Sequence, residues 1–113
     1  MENVAKLNPS SRYYTRKPEH PGAFLSRCYL KPLGLSQSDL AKAMGVSRRR
    51  VNEVINGQRA ITADTALRLA RCLHTTPMFW LEKQQLWELY LASRSLSNAS
   101  ATPPPLRDTA KPQ

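Results

Sequence analysis

Between Leu35 and Thr62 the chain reads LSQSDLAKAMGVSRRRVNEVINGQRAIT, and its punctuation admits little besides two short helices joined by a glycine turn. Ser36 stands as an N-cap with Asp39 three residues on, a capping-box-like pair, and Leu35 and Leu40 have the spacing of a hydrophobic staple. Gly45 suits the left-handed position that stops a helix. Ser47 and the pair Val46 and Val51 repeat the cap and staple, and the second helix ends before Gly57. Ala41 is small where the two helices approach most closely, while Leu40, Val46, Val51 and Val54 fill the wedge between them. The set as a whole, in register, specifies a helix-turn-helix.

Helical signals continue on both sides, and no alternating apolar–polar run bounded by hairpin turns occurs. The fold class is therefore all-α with five helices. The first starts at His20-Pro21, sets Phe24, Leu25 and Cys28 on one face, and is closed by Pro32. The fourth follows Thr62 as N-cap, has Asp64 in its first turn, and carries Leu67, Leu69, Ala70 and Leu73. The fifth opens with Thr76 and Pro77 and reads MFWLEKQQLWELYLA, with Phe79 and Leu86 assigned to the core. Residues 1–18 lack periodicity and residues 93–113 are rich in Ser, Thr, Ala and Pro, so both are expected to be disordered tails around a domain at 19–92. The aromatic and basic residues Arg12, Tyr13, Tyr14, Arg16 and Lys17 suit either a solvated tail or an arm reaching a minor groove.

Seventeen Lys and Arg against eight Asp and Glu leave a net charge of +9, which favours polyanionic partners, nucleic acid first and an acidic membrane surface second. Up to residue 60 the chain has eleven basic and four acidic side chains, so the excess is concentrated around the motif. The first residues, MENVAKLNPSSRYY, have no apolar segment of the kind a signal peptide needs, and no apolar run is long enough to span a bilayer. A cytoplasmic, nucleoid-associated location is the expectation. Cys28 and Cys72 form no CxxC, and with only His20 and His74 besides they offer no zinc spacing. No metal, no cofactor and no catalytic residue is expected, since neither histidine has a nucleophile or carboxylate at a suggestive spacing.

Three arginines, Arg48, Arg49 and Arg50, crowd the start of the third helix, where the helix dipole is already positive. A phosphate backbone and the edges of guanine offset that conflict. Arg48, Arg49, Asn52 and Glu53 are assigned to base reading, because the start of a recognition helix enters the major groove, where Arg forks to guanine and Asn to adenine. Glu53 suits two roles, accepting from cytosine or bracing an arginine. Ser36, Gln37, Ser47, Arg50, Asn56 and Arg59 are assigned to phosphate. The fifth helix has more apolar residues than one side can bury, and Trp87 and Tyr90 are assigned to a homodimer contact.

With the motif in place, the segments TRKPEHPG, PLGLSQSDLAKAMGVSRRRVNEVINGQRAITADTALRLARCL and TTPMFWLEKQQLWELYLA, from Thr15 to Ala92, resemble the HigA-type antitoxins of the Xre/Cro-like helix-turn-helix family. The resemblance implies a five-helix, lambda-repressor-like DNA-binding domain, usually dimeric, that represses its own operon and neutralises a HigB-type ribonuclease toxin that cleaves messenger RNA; the dimer contact, by setting two recognition helices about 34 Å apart on one face of the duplex, predicts a palindromic operator. It places DNA reading at Arg48, Arg49, Asn52 and Glu53. It does not place the toxin surface. A stand-alone regulator without a toxin, and an interaction module in which the arginines form a generic polyanion patch, are the other two readings the residues allow.

Overall fold

A computed structural model describes residues 16–98, and every structural statement below concerns them. Five helices follow one another in the expected order. Helix α1 covers residues 21–33 as three continuous segments, Pro21–Leu25, a π-helical Ser26–Leu30, and Lys31–Leu33; then come α2 (Gln37–Met44), α3 (Arg48–Ile55), α4 (Ala63–Leu73) and α5 (Pro77–Asn98). No strand occurs among the described residues.

Each helix begins where a side chain satisfies a free backbone donor. His20 Nδ1 accepts from the Gly22 N–H at 2.8 Å ahead of Pro21. Ser36 and Asp39 close a full capping box, the hydroxyl accepting from Asp39 N–H at 2.9 Å and the carboxylate from Ser36 N–H at 3.0 Å. Ser47 accepts from Arg50 N–H at 3.1 Å and Thr76 from Phe79 N–H at 3.1 Å. Gly45 ends α2 at φ 75°, in the left-handed region that the corner of the motif requires.

Three expectations are corrected. Pro32 does not close α1. The π-helical turn just ahead of it shifts the hydrogen bonding to longer steps, with Lys31 N–H reaching Ser26 O, so the missing proline donor is absorbed and the helix stops only at Gly34. Leu86 is exposed rather than a core residue, and Leu67, one of the apolar residues that α4 carries, is exposed too. On α4 the inner stripe is Ala66, Leu69 and Ala70, which leaves Leu67 facing outward; on α5 the buried positions go to Trp80, Gln84 and Tyr90. Gln84 is inside because its Oε1 accepts from the Ile61 N–H at 2.9 Å, satisfying a buried loop amide. Helix α5 also runs on to Asn98, past the boundary set at residue 92, with Arg94 Nη1 donating to Tyr90 Oη at 2.8 Å one turn back. The rest of the C-terminal tail and residues 1–15 of the N-terminal arm lie outside the described residues.

The core is a single cluster of Leu25, Leu30, Leu40, Ala41, Met44, Val51, Val54, Ile61, Ala66, Leu69 and Trp80. Trp80 is its largest member, its indole N–H donating to Thr75 Oγ1 at 2.7 Å. Phe24 and Phe79 lie against it, their ring centroids 6.0 and 5.1 Å from that of Trp80. The start of α1 presses directly on the end of α3: a Cβ at Gly22 would stand 2.7 Å from Ile55 O and closer still to Val54 O. Gly22→Ala is therefore expected to lower unfolding free energy by about 3 kcal/mol, whereas Gly34→Ala, left-handed but with open space around it, should lose about 1 kcal/mol. Urea denaturation of the two variants checks the contrast.

The His20 ring caps α1 as an acceptor, packs over Gly57 and meets the Trp87 ring edge-on at 5.0 Å. Burial pushes its pKa below the ordinary 6.5. The folded state thus favours the neutral ring, and the unfolded chain binds the proton more readily. Stability from this group is complete above the unfolded pKa and falls as pH drops below about 6.5. Chemical denaturation at pH 7.5 and 5.5 is expected to show that loss, and His20→Asn, which keeps an acceptor but does not titrate, to reduce it.

Candidate nucleic-acid interface

Helix α3 has only eight residues. Val51 and Val54 are buried against α1, α2 and α4, and that single apolar edge fixes which way everything else points. Arg48 and Arg49 are exposed, with Asn52 and Glu53 half-buried beside them and Asn56 exposed one turn on.

Two hydrogen-bonded groups organise this face. Asn52 Nδ2 donates to Gln37 Oε1 at 3.0 Å, and Asn52 Oδ1 accepts from Asn56 Nδ2 at 3.1 Å. The first residue of α2 is so tied to the middle of α3, and with it the exposed start of α2, where Ser38 also stands. Beside that ladder, Glu53 holds two arginines: Oε2 accepts from Arg49 Nε at 3.1 Å and Oε1 from Arg59 Nε at 2.9 Å. Hydrogen bonds from Arg59 first and Arg49 second keep the Glu53 carboxyl below the usual carboxylate range. It is ionised at neutral pH, so the cluster presents two guanidinium groups around one carboxylate.

Ser36 and Ser47 are in place at the two helix starts, both engaged as caps through their oxygens. A hydroxyl that accepts in this way keeps its proton free to donate. Arg50 differs from its neighbours. It turns from the outer face toward α4, where Nη2 donates to Asp64 Oδ2 at 2.6 Å and to Thr65 Oγ1 at 2.8 Å, and its Nε is buried. The same Asp64 oxygen accepts from Arg68 Nε at 3.0 Å, and Arg68 Nη1 donates to Met44 O at 2.8 Å at the corner of the motif. Pairing with Arg50 and then Arg68 depresses the Asp64 pKa. Sequence reasoning missed this junction. Its one local trace is the i,i+4 spacing of Asp64 and Arg68; the partners on α2 and α3 are distant in sequence.

On α5, Tyr90 is buried within the chain and Trp87 half-buried, their rings 5.9 Å apart. The large apolar side chains that this helix exposes are instead Met78, Leu86, Leu91 and Leu96. Among the described residues no group of three His, Cys, Asp or Glu could hold a metal, and no helix is long and apolar enough to cross a membrane.

Two short helices locked at a glycine corner, with the second presenting arginine and asparagine outward, define a helix-turn-helix domain. A family profile described as helix-turn-helix matches residues 29–81. Virulence-associated protein I of Dichelobacter nodosus is 49% identical over 75 residues, 66% of this chain and 69% of that protein. Antitoxin HigA-1 of Vibrio cholerae serotype O1 is 41% identical over 75 residues, 66% of this chain and 70% of its own. The solved structure of Pseudomonas aeruginosa antitoxin HigA with the higBA promoter superposes with a TM-score of 0.67 at 34% identity, covering 77% of this chain and 98% of that one. The chain belongs to the helix-turn-helix family that includes the HigA antitoxins.

If Arg50, Asp64 and Arg68 act as one junction, Arg50→Ala and Asp64→Asn should each lower the urea midpoint, and the double variant should lose less than the sum of the two single losses. Arg48→Ala should leave the midpoint unchanged. Additive losses at residues 50 and 64 would contradict a shared network.

Proposed function

We propose that this chain is a sequence-specific transcriptional repressor and the antitoxin of a HigBA-type module, binding the operator of its own operon and neutralising a HigB-type, messenger-RNA-cleaving toxin. The observation that carries the reading is the outer face of α3, where Arg48, Arg49 and Asn52 stand clear of the core on a helix whose orientation is fixed at both ends. A structure of a HigA relative with its promoter supports it by family likeness.

In this reading α3 lies in the major groove. Arg48 and Arg49 fork to guanine and Asn52 addresses adenine, while Ser36, Gln37, Ser47, Asn56 and Arg59 position the domain on phosphate. Arg50, committed to Asp64, serves the interface from behind by fixing α3 on α4. No residue is assigned a catalytic role, and the site of action is the bacterial cytoplasm.

A homodimer completes the reading. Leu86 and Leu91, exposed at 43% and 49% on either side of Trp87 and Tyr90 in sequence, are the apolar side chains of α5 that we assign to contact with a second copy, with Trp87 at their edge and Tyr90 supporting from within. Two-fold pairing would set two α3 helices about 34 Å apart on one side of the duplex and match a palindromic operator.

The testing experiment is selection of genomic fragments by purified protein at near-physiological salt, since a protein of net charge +9 holds any DNA when salt is dilute. Enrichment of a palindrome upstream of its own gene is expected; retention without sequence preference would overturn the reading. On the selected duplex, Arg49→Ala is expected to weaken binding by roughly 1–3 kcal/mol and blur one base position, and Arg59→Ala to weaken all sequences alike and flatten the salt slope.

A further inference from the structure

Glu53 is an acidic side chain on a face otherwise built to meet an anion. Its side chain is 20% exposed, against 87% for Arg49 and 49% for Arg59, so it sits beneath the two arginines it holds. The two grips differ. Arg59 donates to Oε1 through Nε at 2.9 Å and its Nη2 also stands 2.9 Å from that oxygen, so one edge of its guanidinium faces Glu53. Arg49 donates to Glu53 through Nε alone, at 3.1 Å. The end of its guanidinium, with two Nη groups, remains available for the O6 and N7 of a guanine.

We infer that Glu53 is a positioning residue for specificity: it holds Arg49 in a geometry that suits a base edge and opposes its capture by phosphate. This deepens the proposed operator reading and rests on it. In a specific complex Arg49 can keep its Nε bond to Glu53 while its free end forks to guanine. On random DNA no guanine waits at that place, and the gain left to Arg49 is a backbone phosphate at the groove edge, reached by swinging away from Glu53. The carboxylate is then left close to the polyanion with one partner fewer. Glu53 therefore costs binding on random DNA more than on the operator, and the ratio of the two affinities is what it raises. Arg59, held by an edge, follows the same carboxylate and stays near the end of α3.

The test is a double-mutant cycle on the full chain with two probes of equal length, the duplex selected by the wild-type protein and a random-sequence duplex, both at near-physiological salt. Glu53→Gln is expected to tighten binding to the random duplex and to lower the operator-to-random affinity ratio about fivefold, the upper size for loss of one exposed ion pair. In an Arg49→Ala background the same change should leave the ratio where it is. A wild-type protein without sequence preference would overturn the operator reading, and this inference with it. Where the wild type does discriminate, two results overturn the inference alone. An equal effect of Glu53→Gln on both duplexes makes the carboxylate a simple negative charge. A fall in the ratio that persists without Arg49 makes Glu53 a base reader in its own right.

Discussion

An eight-residue helix that starts with three arginines cannot hold itself together. It is shorter than isolated helices need to be, and its charges sit at the unfavourable end of its dipole. Everything around α3 supplies what it lacks. Val51 and Val54 give it one buried edge, Ser47 caps its first turn, and Gly45 sets the angle at which it leaves α2. Gly22 lets α1 press on its last carbonyls. The three arginines are then treated differently: Arg50 is drawn back onto Asp64, Arg49 is tethered by Glu53, and Arg48 is left exposed.

That division links folding to function. The carboxylates of Asp64 and Glu53 reduce the repulsion that three adjacent cations would create, one from α4 and one from within α3. Asp64 works at the rear, joining α3 to α4 and, through Arg68, to the carbonyl of Met44 at the motif's corner. Such partly exposed pairs add little stability singly; their use is to fix one geometry among several that the apolar wedge would tolerate. Glu53 works at the front, where the geometry it fixes belongs to the reading surface itself.

Signals between near neighbours were legible in the sequence. The start at His20-Pro21, the caps at Ser36, Ser47, Thr62 and Thr76, the stop at Gly45 and the staple pairs all lie within a few residues, and each lies where the structure has a helix end. Long-range contacts were not legible. Arg50 and Asp64 are 14 residues apart, Ile61 and Gln84 23, and Met44 and Arg68 24. Without them Arg50 reads as one more surface cation and Leu86 as core, and nothing marks Gln84 as a buried partner of a loop amide. Pro32 misled for a different reason: a proline normally ends a helix, and only the π-helical turn ahead of it, which no local residue pattern announces, lets the chain continue. Of the site, the residue types were readable, and so was Glu53's alternative as a brace; which arginine faces outward depended on tertiary contacts.

The most direct test of this account is a map of backbone amide shifts in isotope-labelled protein titrated with the selected duplex. Perturbations are predicted to centre on the start of α2 at Gln37 and Ser38, on α3 from Ser47 to Asn56, and on the turn as far as Arg59, with α5 unaffected beyond any dimer contact. A map centred on the aromatic side around Phe24 and Phe79, or spread evenly over the basic surface, would contradict it.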